Sequence, residues 1–558
     1  MKYPFLKTLL TTLLVLTAHI TALAQPSAVK NAAKAVFTLT TFKADGSLLA
    51  SSHGVFIDNN GTAISDWSSF DGAHKAVVVD AAGKQMEVES LVAANEIYDV
   101  AKFKVAGKTT GAAVATSGLA EGATAYLLGY SVKKTDITET RIDKVETFMD
   151  KYSYYIIKTI LPDNTQSCPL VNATGQVIGF VQHSQYTTDN HATDAAYIAD
   201  MKVTGLSVND PVLKRTAIPT TIPEEEEQAR LALMLAAQTS DSTKYDKTVE
   251  LFIRQFPTLT EGYLARAQRK AAFNDFDAAT RDIETAIKVA SDKDEAHFGY
   301  ARLIYQKEVY KSAIPYPAWT LDKAYEEAQK AYDINPQNIY KHLQAQILFT
   351  KEDYQQAYDR FMALTTTDLR NPELFYEAAQ CRKKLNAANS ETIALLDSAI
   401  TLFKQPYPAE AAPYFYARAG ELEESGEYRK AIYDYNQYDT LMLGRHPAEF
   451  YYKREQCELK ARMFQQALID IEVATRIAPR EPLYWAEKGS LLLRLKMYEQ
   501  AATSAECCLI LEPENSDALL IKGVALIQQG KKKEGLEQLQ KAQQMGNEQA
   551  QALIDKYK

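Results

Sequence analysis

Five cysteines and eight histidines are the residues of this chain best suited to nucleophilic or metal chemistry. Cys168, Cys381, Cys457, Cys507 and Cys508 are odd in number and form neither a disulfide framework nor a C-x-x-C metal pattern. Four of them lie in helical-looking segments, where cysteine serves as a small buried apolar residue. Ser167 and Cys168 are adjacent hydroxyl and thiol groups, and either would need a base to act as a nucleophile. The histidines nearest in sequence are His53, His74, His183 and His191, each alone in its stretch. No Gly-rich phosphate loop, H-E-x-x-H zinc pattern or calcium loop occurs. The sequence therefore implies no cofactor and no metal.

The elements that would hold such groups fall into two halves. With 558 residues the chain exceeds one hydrophobic core. Residues 25–208 are β in pattern. Ala35 to Phe42 alternates apolar and polar, and Val55-Phe56-Ile57 and Thr62-Ala63-Ile64 flank an Asp58-Asn59-Asn60-Gly61 turn. Short apolar runs follow at Val77–Val79, Tyr126–Leu128, Tyr155–Ile157 and Val177–Phe180. Pro211, Pro219 and Pro223 mark residues 209–225 as a linker. The acidic run Glu224–Glu227 suits the first turn of a helix.

From residue 226 to 558 the period is helical and the sequence repeats itself. A small residue recurs at Ala279, Ala324, Ala357, Ala431, Ala467 and Ala501, with an aromatic three residues earlier at Phe276, Tyr354, Tyr428, Phe464 and Tyr498. Pro336, Pro479 and Pro513 close units. Small residues let two antiparallel helices approach, and proline stops the second one. One hairpin cannot bury its own apolar face, so hairpins stack. The unit with Trp485, Gly489, Leu492, Tyr498, Ala501, Ala505, Cys508 and Pro513 resembles the tetratricopeptide repeat. About eight units and a capping helix from roughly Asn547 are expected, with an insertion near Pro315 and Pro317.

The β half resembles a trypsin-like serine protease of the periplasmic stress type. Three landmarks carry the resemblance: Gly54–Ile57 with Gly61–Ala73, then Tyr98–Phe103, then Asn164–Val171 with Gly175–Gly179. It implies a multidomain β + α protein, a double β-barrel followed by an α-helical solenoid. It also maps the triad's histidine to Ser68, its aspartate to Asp99 and its serine to Gln166. A serine side chain does not titrate near neutral pH and an amide is no nucleophile, so the expected catalytic set is empty. The glycines that shape the family's oxyanion hole become Ser167 and Cys168.

In the repeat family, ligands meet the first helix of each hairpin. This implies His342, Gln346 and Phe349, Tyr416 and Gly420, Tyr452 and Gln456, and Ala486 and Ser490 as contacts for a protein or peptide. Tyr416 and Tyr452 can equally pack on neighbouring helices. The Lys and Asn clamp that some members use for a terminal carboxylate is absent. Residues 1–24 read as a signal peptide, with Lys2 and Lys7, an apolar Leu9–Leu16 run and the Ala22-Leu23-Ala24 cleavage pattern. An exported protein without a membrane span, periplasmic or secreted, is expected. The net charge is −9, and −11 once Lys2 and Lys7 are removed, which argues against nucleic acid as a partner. The function expected is a binding scaffold with an inactive protease-like domain. Its rivals are an endopeptidase with a displaced nucleophile and a structural subunit of an envelope assembly.

Overall fold

A computed structural model describes residues 25–130, 136–158, 167–182, 189–239 and 241–558. The chain parts into two compact units, the first ending at Gly299 and the second beginning at Tyr300.

The first unit opens with a closed antiparallel barrel. Its strands are β1 (Val36–Phe42), β2 (Leu48–Phe56), β3 (Thr62–Ser65), β4 (Lys75–Asp80), β5 (Gln85–Asn95) and β6 (Val100–Val105), joined in the order β1-β2-β3-β6-β5-β4. Alternation places Phe37 and Leu39 inside, where Phe37 meets Phe56 at 4.5 Å and Phe70 meets Phe103 at 5.0 Å between ring centroids. The expected β2–β3 hairpin forms because Asp58 accepts from the amides of Asn60 (2.8 Å) and Thr62 (2.9 Å). Gly61 completes that turn at φ +89, where a Cβ would lie 2.5 Å from the Val105 carbonyl.

A second antiparallel sheet follows. It contains β7 (Thr124–Gly129), β8 (Asp136–Arg141), β9 (Lys144–Phe148), β10 (Tyr152–Ile157), β11 (Pro169–Val171), β12 (Val177–Gln182) and β13 (Asn190–Asp194). The order is β8-β7-β11-β12-β13-β10-β9, with no pairing of the edge strands β8 and β9 among the described residues.

Residues 209–225 correct the expectation of a linker. Leu213 and Ile218 are buried in the barrel core, Leu91 donates to Pro219 O (2.9 Å), and Thr221 donates back to Leu91 O (2.8 Å). Apolar residues between the prolines hold the segment down as a strap. Lys244, in the helix Ser242–Gln255, donates to Leu213 O (2.9 Å) and Thr216 O (2.8 Å), and burial brings its ammonium down to about 8.

Among the described residues nine helical hairpins lie between Glu226 and Gln544, two of them before Ala290 in the first unit, and the helix Ala550–Tyr557 follows the last. The recurring alanines 279, 324, 357, 431, 467 and 501 are fully buried, as close helix packing requires. In the second unit the first helix of a hairpin usually spans 13 residues, and its end is built the same way each time. Glu352, Asn386, Gly426, Arg462, Lys496 and Gly530 take φ between +54 and +88. The next amide then reaches back five residues, as from Met463 to Glu458 O (2.8 Å) and from Met497 to Leu492 O (2.9 Å). This left-handed ending satisfies a carbonyl that the helix leaves open. Among the described residues no helix is long and apolar enough to cross a membrane.

Candidate functional site

Register places the first candidate site. β3 pairs with β6 so that Ser65 faces Ala101, which brings the turn after β3 and the turn before β6 to the same end of the barrel. There Ser68 donates to Asp99 from its amide (2.6 Å, to Oδ1) and its hydroxyl (3.0 Å, to Oδ2). Asp99 has φ +45, and its carboxyl is pushed up by burial and by the charge of nearby Asp66. Asp66 is itself buried and accepts from the hydroxyls of Ser65 (3.1 Å) and Ser68 (3.1 Å), from the Ser69 amide (3.0 Å), and from the Ser69 hydroxyl at closer range. The two positions mapped to histidine and aspartate thus meet as a hydroxyl–carboxylate contact.

The third position, Gln166, and also His183, lie outside the described residues. Ser167 holds φ +57, so a non-glycine occupies left-handed backbone, a conformation that favours glycine. Its amide donates to Val181 O (3.2 Å). Cys168 is fully buried, and burial drives its thiol far above the ordinary range, the reverse of an activated nucleophile. His191 stacks on Tyr154 at 5.5 Å, and the His53 ring lies 5.9 Å from that of Tyr130. No disulfide joins the cysteines, and four of the five are buried.

The positions mapped onto the array all lie in the second unit. His342 Nε2 meets Glu377 Oε2 at 2.6 Å, and Gln346 donates to Glu377 Oε1 (2.7 Å), so one carboxylate of the next hairpin gathers both. Phe349 packs on Tyr354 across the hairpin turn (5.3 Å), and Tyr452 packs on Tyr484 (5.2 Å). Gln456 donates to Glu455 (2.8 Å). Ser490 is half-buried and one residue from the close-packed Gly489. Tyr416 contacts Tyr438 at 4.9 Å and still exposes 37% of its surface.

Tyr416 and Gly420 also line a cleft of about 480 Å³, together with Tyr376, Tyr438, Met442 and Lys453. A Cβ on Gly420 would meet nothing within 4 Å, so the floor is open. Lys383 in this cleft is neutralised by Glu421 (2.6 Å) and Glu424 (3.0 Å), whereas the Lys453 ammonium lies 5.1 Å from the Tyr416 ring centre. The cleft can therefore receive an apolar or aromatic group beside an anionic one.

A recurrent arginine staple escaped the sequence reading. Arg266, Arg418 and Arg454 each grip an aspartate 16 residues on, Asp282, Asp434 and Asp470, through two nitrogens. Each also reaches an acid on the preceding helix, Glu250, Asp397 or Asp439. The repeated Arg-to-Asp spacing of 16 was the available signal, masked by the general abundance of charge.

The family model of the tetratricopeptide repeat matches residues 264–316 and 486–550, and the helical hairpins around these stretches form a similar array. Among solved structures, the active form of the Rv3671c protease from M. tuberculosis is similar at 18% identity, over 32% of this chain and 85% of that chain, with a TM-score of 0.29. No curated protein matches the chain.

Proposed function

We propose that the protein is an exported binding scaffold whose repeat array holds a protein or peptide, and whose protease-like β region does not cleave it. The observation that carries this reading is the cleft built by three successive first helices, Pro372–Lys384, Ala412–Glu424 and Ala448–Lys460, around Tyr416, Gly420 and Lys453. Stacked repeats create such extended binding surfaces. The occupant that fits is an extended peptide segment bearing an apolar side chain next to a carboxylate. Support for an idle β region comes from Ser68, whose hydroxyl is spent on Asp99 and Asp66, and from the buried thiol of Cys168. Export rests on the composition of residues 1–24.

Peptide-display selection on the full chain tests the binding role. Enriched peptides should lose about tenfold or more in affinity with Tyr416→Ala or Lys453→Glu, and nothing with Ser68→Ala. Absence of enrichment, or binding indifferent to both cleft substitutions, refutes it. Casein and fluorogenic peptides should remain intact; turnover abolished by Ser167→Ala or Cys168→Ala would establish an endopeptidase instead.

A further inference from the structure

The first helices of seven hairpins span 13 residues each, so their positions can be compared one for one. The eighth residue is small wherever the helix packs closely on its neighbours. It is Ala267, Ala345, Ala379, Ala419, Gly489 and Gly523 in six of them, all buried. In Ala448–Lys460 it is Glu455, with no exposed surface. The eleventh residue is a buried leucine at Leu348, Leu422, Leu492 and Leu526, a cation at Lys270 and Arg382, and Glu458 here, 3% exposed. One hairpin therefore carries two carboxyl groups, a helical turn apart, at positions its neighbours fill with small or apolar groups.

Neither group is fully satisfied. Among the described residues Glu455 Oε1 and Glu458 Oε2 are buried without a hydrogen-bond partner, and only the Gln456 amide donates to the other oxygen of Glu455. The surroundings offer little positive charge. Arg454, on the same helix, is committed to Asp470 on the second helix (2.6 and 2.9 Å) and to Asp439 on the preceding hairpin (2.8 Å). From the following hairpin Glu487 raises the cost of a charge on Glu455, as does Asp470, while Arg494 offsets it least of all. Around Glu458, Asp470 and Glu455 oppose ionisation and Arg454 favours it.

We propose that the hairpin Ala448–Ile477 is a proton-operated weak point of the array, closed while Glu455 and Glu458 are protonated and opening locally as each releases its proton to solvent. Burial raises Glu455 to about 7 and Glu458 to about 8. In an opened hairpin both would ionise near ~4.3. The closed form thus binds more protons than the open one. Its advantage is complete below the ordinary glutamate range and drains away as pH rises toward 7 and 8. This inference stands independently of any ligand.

Hydrogen exchange by mass spectrometry on the full chain, at about pH 6 and about pH 8.5 and corrected for the intrinsic rate, tests it. Peptides from Ala448–Lys460 and Phe464–Ile477 should lose roughly tenfold or more protection relative to those from Asn338–Thr350 and Tyr354–Leu364. The double variant Glu455→Gln, Glu458→Gln keeps the shape without the titration and should abolish that difference. Glu458→Leu, which restores the residue type of Leu422 and Leu492, guards against a misfolded double variant and should at least reduce it. Equal pH response of the two hairpins, or a response that survives in the glutamine variant, overturns the proposal.

Discussion

The end of the barrel around Asp66 and Asp99 and the inner face of the helix Ala448–Lys460 both bury carboxyl groups, and they treat them in opposite ways. Asp66 and Asp99 sit in turns, where backbone amides are free; the amides of Ser68 and Ser69 and three serine hydroxyls surround them. Glu455 and Glu458 lie on the buried face of a helix whose amides are consumed by its own ladder, so only side chains could serve them, and among the described residues one oxygen of each goes without. Turn acids are held by the chain's own fold, whereas helix acids depend on whichever residues the next helix supplies. Asp470 shows the satisfied version of the latter, since Arg454 grips it through two nitrogens.

Arg454→Met should break this contrast most severely. It leaves Asp470, 4% exposed, without its cation and is expected to destabilise the second unit by about 3–5 kcal/mol. Urea unfolding followed by circular dichroism reads the loss; a change below about 1 kcal/mol would mean the staple is dispensable. Glu458→Leu should act in the other direction and with a pH signature, stabilising by about 1–3 kcal/mol near pH 8 and by much less near pH 5, where the native carboxyl keeps its proton. Equal gains at both pH values would show that added apolar area, not ionisation, is responsible. Ser68→Ala removes the single hydroxyl proton shared between Asp66 and Asp99 and should cost about 1 kcal/mol in thermal unfolding of the first unit, with the Asp99 carboxyl rising further. A neutral result would show that the Ser68 amide alone suffices. The smallest expected effect is a gain: Lys496→Gly, at φ +60, should stabilise by about 0.5–1 kcal/mol by relieving left-handed strain. Lys496→Ala, which keeps the strain, serves as the control and should not.

The array was legible because its signal is repeated. Ala467 and Ala501 each predict the other, and every marked alanine is buried. The β2–β3 hairpin was legible from the four residues of its turn. The strap was not, because prolines read as linker when the pockets for Leu213 and Ile218 belong to strands more than a hundred residues earlier. For the candidate cleft, Tyr416 and Gly420 were visible from their repeat positions, but Lys453 was not, since its role comes from facing the Tyr416 ring on another hairpin. Tyr452, equally eligible by position, is taken up by Tyr484.

By itself the sequence determined what depends on local order: a β half, a helical half with its period, and the small residues at each hairpin's contact. Tertiary structure alone decided which polar groups find partners. Ser68 meets Asp99 through sheet register across 31 residues, Lys244 holds carbonyls 28 and 31 residues away, and Glu455 and Glu458 find too few donors. Burial and pairing are properties of a position in space, and the free energy of a charged group is set there, not along the chain.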